Sequence, residues 1–283
     1  MAGNGENLMP ELPEVETVCR GLRMHLPARR IERVEIRSAD VIHQTDISPD
    51  AFAAQLIGQT ILDVKRRGKY VIFVLNHGWL LCHLRMTGKL LVRDSEEKID
   101  KHTHLIMTLD DGQTLHYHDV RRFGGFAYYQ EDPQQQRPLV FLGPEPLSGA
   151  FDADSFYQSC RHHRRPIKAQ LLDQSVVAGI GNIYADEILF RAGVRPRKSA
   201  ARLSRKEARA IVAATRSVLT EAIAAGGSTI RDYVDSNAKK GGYQLAHQVY
   251  GRAGEPCLHC GTVLKQVIVS GRSSVYCPHC QKS

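Results

Sequence analysis

Four cysteines near the end of the chain have the spacing of metal ligands. Cys257 and Cys260 enclose two residues, sixteen residues follow, and Cys277 and Cys280 repeat the pattern. Each pair suits a tight knuckle presenting two thiolates, and two knuckles make the tetrahedral sulfur set of a zinc ribbon. His259 and His279 lie inside the pairs and are alternative ligands, though four thiolates are the simpler set. With four protein ligands no coordination position stays open, so one structural zinc ion is expected. The segment is too short to bury a core of its own, and the metal would supply its folding energy. A redox dithiol would need only one pair. The other three cysteines, Cys19, Cys82 and Cys160, are scattered, and an odd total of 7 argues against a disulfide framework. As buried thiols they would be inert.

Other candidate residues are ambiguous when read one at a time. Val267 to Tyr276 reads as a hairpin whose turn carries Ser270-Gly271-Arg272-Ser273-Ser274. An arginine at a ribbon tip suits a phosphate contact, and a solvated turn charge fits equally well. Asn182 follows Gly179-Ile180-Gly181, a turn entering a helix. Free amides and a side-chain amide can converge there on a phosphate, or simply cap the helix. Pro10 and Glu11, taken alone, are a proline approaching a helix and an acid in its first turn.

The elements that must hold these residues fall into blocks. Glu14 to Leu26 reads as a helix with Val15, Val18, Leu22 and Leu26 on one face. Ile31–Ile36, Ile61–Leu75, Trp79–Val92, His104–Leu109 and Thr114–His118 read as strands, with a hairpin turn at Asp111-Gly112. This is an antiparallel β-sandwich pattern. A loop rich in proline and glutamine, Asp132 to Pro146, closes it. Beyond the loop the chain turns helical. A capping box at Ser204 and Glu207 opens a long helix that stops at Gly226-Gly227. Ser228 to Gln244 reads as a polar and basic loop.

Composition narrows the function classes. A hydrophobic share of 42% and a charged share of 24% describe a globular chain. A net charge of +8 favours a polyanionic partner. No apolar run approaches the roughly 20 residues of a membrane helix. The first 26 residues lack a basic-then-apolar signal pattern, so a soluble cytoplasmic protein is expected.

Taken in order, the motifs carry more than each does alone. Met9-Pro10-Glu11-Leu12-Pro13-Glu14-Val15-Glu16-Thr17-Val18-Cys19-Arg20-Gly21 resembles the start of the formamidopyrimidine-DNA glycosylases. The resemblance continues through Arg67-Gly68-Lys69-Tyr70, His83-Leu84-Arg85-Met86-Thr87-Gly88, Arg121-Arg122-Phe123-Gly124 and Leu142-Gly143-Pro144-Glu145-Pro146. It resumes at Ile167-Lys168, Gly179 to Tyr184 and Tyr250-Gly251-Arg252, and ends on the ribbon with Arg272. The implied architecture is α+β and multidomain. It has an N-terminal antiparallel β-sandwich, a helical domain with a helix–two-turns–helix motif, and a C-terminal zinc-ribbon finger. The expected divisions are 9–140, 147–250 with a lid loop, and 251–283, preceded by an extension at 1–8.

The resemblance also implies roles. The family acts on damaged double-stranded DNA as a monomer needing no protein partner. It excises oxidised purines (8-oxoguanine and formamidopyrimidines) and nicks the abasic site by β,δ-elimination. Pro10 matches its proline nucleophile, whose secondary amine forms an iminium with the sugar. Glu11 matches the general acid/base, with Glu14 in support. Lys69 matches a lysine near the lesion's phosphates, and Lys168, Asn182 and Arg272 match residues that pinch the backbone. Met86, Arg121 and Phe123 match the trio that fills the void left by an extruded base. Arg231 falls where the family has a lid over that base. His83 matches a family position that could simply pack.

One departure bears on activity. Eight residues, Met1 to Leu8, precede Met9, and acylated Pro10 has no nucleophilic lone pair. Gly5-Glu6 must be encoded GGN-GAR, which can form a purine-rich ribosome-binding sequence, so translation from Met9 is expected. If residues 1–8 are retained, the alternative is a lesion binder without lyase activity. An endonuclease VIII-like enzyme for oxidised pyrimidines is a further alternative, but it starts differently, and the void-filling trio favours purines.

Overall fold

The computed structural model describes residues 9–44, 46–94, 97–228 and 242–282. The chain divides into two compact units, Met1–Val140 with Gly226–Gly242, and Phe141–Ala225 with Tyr243–Ser283.

In the first unit, helix α1 spans Leu12–Arg23, starting two residues earlier than its apolar periodicity predicts. The reason is a cap. The Glu14 carboxylate turns back to accept the Glu11 N–H at 2.9 Å, which fixes Glu11 at the helix entrance. Val15, Val18, Leu22 and Leu26 face the core, as their spacing predicts, with Leu26 lying beyond the end of α1, and Cys19 joins them. Strand β1 (Ile31–Ile36) follows, then helix α2 (Pro49–Leu56), which strand periodicity does not reveal. Its signals were local. Ser48 accepts the Ala51 N–H at 3.2 Å, Pro49 occupies the first turn, and Phe52 and Leu56 point inward.

Seven further strands complete the unit: β2 (Ile61–Arg67), β3 (Tyr70–Leu75), β4 (Trp79–His83), β5 (Lys89–Asp94), β6 (Thr103–Leu109), β7 (Gln113–His118) and β8 (Gly125–Tyr129). They form two antiparallel sheets, ordered β1-β6-β7-β5 and β2-β3-β4-β8. Val34, Leu105, Met107 and Leu115 from one sheet share a core with Val64, Phe73, Leu80 and Phe126 from the other. The sandwich and the Asp111-Gly112 turn agree with the sequence reading. The two longest expected strands do not survive whole. Ile61–Leu75 breaks at Gly68, where φ is +55° and a tight turn forms. Trp79–Val92 breaks at Leu84–Gly88, which forms a loop carrying Met86. The sequence pattern does not mark short β8.

The second unit holds α3 (Ala153–Arg161), α4 (Ile167–Leu172), α5 (Asn182–Arg191), α6 (Arg205–Ala224), β9 (Lys265–Val269) and β10 (Arg272–Tyr276). Residues 182–190 of α5 are all buried, so this helix is the centre of the unit. The capping box of α6 forms as expected, with the Glu207 N–H on Ser204 at 3.2 Å and the Ser204 N–H on Glu207 at 2.9 Å. β9 and β10 pair through a two-residue turn at Ser270-Gly271, both with positive φ. Arg272 therefore opens a strand rather than sitting in the turn. Among the described residues, no helix is long and apolar enough to cross a membrane.

The glycines after α6 do more than end a helix. Gly227 has φ +79°, and a Cβ there would meet Glu14 Oε1 at 2.8 Å. The next residue, Ser228, donates its N–H to the same oxygen at 2.8 Å. This contact joins residues 226–228 to the first unit, whereas the sequence reading kept them with the helices. Arg231 lies outside the described residues.

Candidate active site and metal centre

The four cysteine sulfurs of the ribbon converge, with all ligand atoms within 4.8 Å of one another. Individual sulfur separations are 3.5 Å for Cys260–Cys277, 3.5 Å for Cys260–Cys280 and 4.0 Å for Cys257–Cys280. A tetrahedron with Zn–S of about 2.3 Å has edges of about 3.8 Å, so the thiols fit one zinc ion. His259 and His279 do not join the set among the described residues; the His259 ring lies 6.1 Å from that of Phe190. With four sulfur ligands the zinc is structural. Leu264 and Val275 pack beneath Cys257 and Cys277, against Val249 and the α5 residue Phe190.

In the first unit the approach to α1 forms an acidic, buried corner. Pro10 is buried, Glu11 is 2% exposed and Glu14 is fully buried. Met9, just before Pro10, lines a cavity of about 740 Å³ together with His43, Arg85, Met86, Arg122 and Phe123. The sequence separates these residues by more than a hundred positions, and the sandwich brings them to one opening.

Met86 comes from the β4–β5 loop, and Arg121 and Phe123 from the β7–β8 loop. The three meet in space. Arg121 Nη1 lies 3.1 Å from Met86 Sδ, and its guanidinium carbon lies 4.5 Å from the Phe123 ring centroid. Phe123 is 52% exposed, so it is not a core residue; a large apolar ring held in water beside a cation is a surface built for contact. The loops are taut. Arg85, before Met86, and Arg122, between Arg121 and Phe123, both adopt left-handed backbone, with φ of +52° and +53°. Arg122 is tied to Asp40 at 2.9 Å.

One residue the sequence did not single out holds both loops. Asp119 is fully buried. Its Oδ1 accepts from the Thr87 hydroxyl, beside Met86, and from the Arg121 N–H at 3.1 Å. Its Oδ2 accepts from the Gly124 N–H at 3.0 Å and the Tyr117 hydroxyl at 3.1 Å. A carboxylate with both oxygens filled by donors from both loops sets their register. Tyr117, Arg121 and Gly124 are its neighbours in the chain, but its role shows only in the fold, which brings Thr87, thirty-two positions earlier, onto the same carboxylate.

Lys69 is half-buried at the β2–β3 turn. His83 is buried. Burial, with the Arg85 and Lys69 cations nearby, pushes its pKa down to about 3. Its Nδ1 accepts the Arg85 N–H at 2.9 Å, and Tyr70 packs edge-on with ring centroids 4.5 Å apart. It is a neutral, packed imidazole.

In the second unit Asn182 opens α5, with Gly181 as N-cap. It is 7% exposed, and its buried Oδ1 has no hydrogen-bond partner among the described residues. Arg272 is exposed at the start of β10. Lys168 is not placed as a direct phosphate contact would require. It is fully buried, its ammonium lies 2.7 Å from Asp186, and it donates to the Ser273 carbonyl at 2.8 Å. Asp186 also accepts from the Ser274 hydroxyl at 2.7 Å and the Val275 N–H at 2.9 Å. Burial works to raise the Asp186 pKa against the Lys168 charge. The pair clamps the strand next to Arg272 onto α4 and α5. Glu187, the following residue, accepts the N–H groups of Gln248, Val249 and Tyr250 at 2.8–3.0 Å and anchors the approach to the finger. Neither acid is marked in the sequence, since both sit in an ordinary helical run.

Comparison with known proteins matches three family models in order. They are the formamidopyrimidine-DNA glycosylase N-terminal domain over residues 9–126, the formamidopyrimidine-DNA glycosylase H2TH domain over 142–234, and the zinc finger found in FPG and IleRS over 254–282. The chain is 45% identical over 275 residues to a formamidopyrimidine-DNA glycosylase of Listeria monocytogenes, covering 97% of this chain and 100% of that one. Its structure is similar to the MutM (Fpg) protein of Thermus thermophilus, with TM-score 0.86 and 40% identity over 96% of this chain and 98% of that one. It is also similar to Lactococcus lactis Fpg in complex with DNA containing an abasic site. There the TM-score is 0.89 and the identity 35%, over 96% of this chain and 100% of that one.

Proposed function

The chain belongs to the formamidopyrimidine-DNA glycosylase family, and we propose that it excises oxidised purines from duplex DNA and then nicks the abasic site. The observation that supports this reading best is the cavity shared by Met9 and the Met86–Phe123 surface. It puts the residue next to Pro10 beside side chains suited to fill a vacated base position.

The chemistry assigns Pro10 the nucleophile's role. Its nitrogen attacks the anomeric carbon, the bond to the damaged base breaks, and Glu11 protonates the opening sugar ring oxygen. The resulting iminium acidifies the neighbouring sugar carbon, so the 3′ phosphate leaves by β-elimination and the 5′ phosphate by δ-elimination. Pro10 can do this only as a free secondary amine, so it acts once Met9 and all that precedes it are gone. Glu14 supports by fixing the Glu11 main chain. Met86 and Phe123 fill the void while Arg121 faces the orphaned base. Lys69, Asn182 and Arg272 hold phosphates, Asn182 through its side-chain NH2 donor at the entrance of α5. Lys168 acts through Asp186 and Ser273 as a positioning residue for Arg272. Arg231 keeps the lid role that the family resemblance implies.

Borohydride trapping on duplex containing 8-oxoguanine, with intact-mass analysis of the protein, tests the mechanism. Chain beginning at Pro10 forms a trapped adduct, and chain retaining Met9 does not. Absence of an adduct from chain beginning at Pro10 would sink the lyase reading and leave a lesion binder.

A further inference from the structure

A cavity of about 750 Å³ in the second unit lies outside the machinery described above. Arg195, Arg197, Lys198 and Arg202 line it, together with Val267 and Tyr276. No acidic side chain among the described residues lines it. Among the described residues, only Lys198 of the four cations has an ionic partner, Glu207 at 2.6 Å. The other bonds go to neutral carbonyls. Arg195 donates to Gln281 O and Pro278 O, both at 2.9 Å, and Arg197 to Ile268 O at 3.0 Å. Such bonds hold a guanidinium in place without cancelling its charge. The result is a concave site lined by four cations, three of them without an ionic partner among the described residues, and by one aromatic residue.

That pairing is more specific than a basic surface. Duplex backbone needs cations but neither a concavity nor a ring. A nucleotide needs all three: guanidinium forks for phosphate, a ring face for the base, and a pocket of a few hundred Å³. We propose that this cavity binds a nucleoside phosphate, with phosphates on Arg197 and Arg202 and the base against Tyr276. The ligand is either a free nucleotide or the unpaired, phosphorylated end of a nucleic-acid strand, which present the same chemistry. The site goes beyond base excision and uses none of the excision residues.

Calorimetric titration of the full, zinc-loaded chain with ATP tests it, beside inorganic triphosphate and a 5′-phosphorylated single-stranded hexanucleotide. ATP binds saturably and more tightly than triphosphate. The double variant Arg197→Glu/Arg202→Glu loses at least about tenfold in ATP affinity and still nicks a preformed abasic site. Tyr276→Leu weakens ATP but not triphosphate. Competition by the hexanucleotide identifies a strand end as the source, and its absence identifies a free nucleotide. No saturable ATP binding, ATP affinity unchanged in the double variant, or triphosphate binding as tightly as ATP would each overturn the proposal.

Discussion

Replacing Asp119 by asparagine isolates the loop clamp. The carboxylate takes two bonds on each oxygen, one from a hydroxyl and one from a backbone N–H. In the amide, one oxygen becomes an NH2 group. The Thr87 or Tyr117 hydroxyl can rotate to accept from it, but a backbone N–H cannot. Whichever way the amide turns, the N–H of Arg121 or of Gly124 loses its acceptor inside a buried site. That costs about 1–3 kcal/mol, and the surviving bonds weaken as the acceptor becomes neutral. The expected destabilisation for Asp119→Asn is about 2–4 kcal/mol, read from urea unfolding. Activity should split. Excision of a lesion from duplex needs Met86, Arg121 and Phe123 in register and falls by about tenfold or more. Nicking of a preformed abasic site, where no base must be displaced, falls less. A variant within about 0.5 kcal/mol of wild type and with unchanged excision would refute the claim that Asp119 sets the loops.

Lys168→Met strands the Asp186 charge in the core and should cost about 3–5 kcal/mol; Lys168→Met/Asp186→Leu should cost less, and equal losses would argue against a coupled pair. Removing zinc with a chelator should release one ion per chain and unfold the finger, since such sites supply about 10–16 kcal/mol of folding energy; retained structure around Cys257–Cys280 by hydrogen exchange would contradict this. Arg272→Ala should weaken DNA binding with zinc retained and reduce the salt slope by about 0.9, and an unchanged slope would remove it from the phosphate contacts. His83, with a folded pKa of about 3 against an ordinary 6.5, binds its proton more readily when the chain unfolds. Its contribution is therefore present above pH 6.5 and lost as pH falls towards 3. Unfolding free energy should fall less steeply over that window in His83→Gln, and identical slopes would show that His83 does not drive the acid limb.

The sequence alone was enough for the zinc ligands, the sandwich, the capping box of α6 and the family, because each is written in local spacing or in an ordered series of motifs. Thiolate pairs enclosing two residues make a knuckle in almost any context, and a Ser-x-x-Glu cap closes on itself. The tertiary structure alone decided how those residues are held. The Asp119 clamp draws partners from two loops, Asp186 joins a helix to a strand nearly ninety positions away, and Glu14 reaches the amide of Ser228. Lys168 shows the difference most directly. Its motif reads as a phosphate ligand, but only packing could reveal that its charge is buried and spent on Asp186. Chain neighbours within a turn or a helical cap must meet, whereas a buried carboxylate takes its partners from wherever folding brings donors, and no sequence interval encodes that.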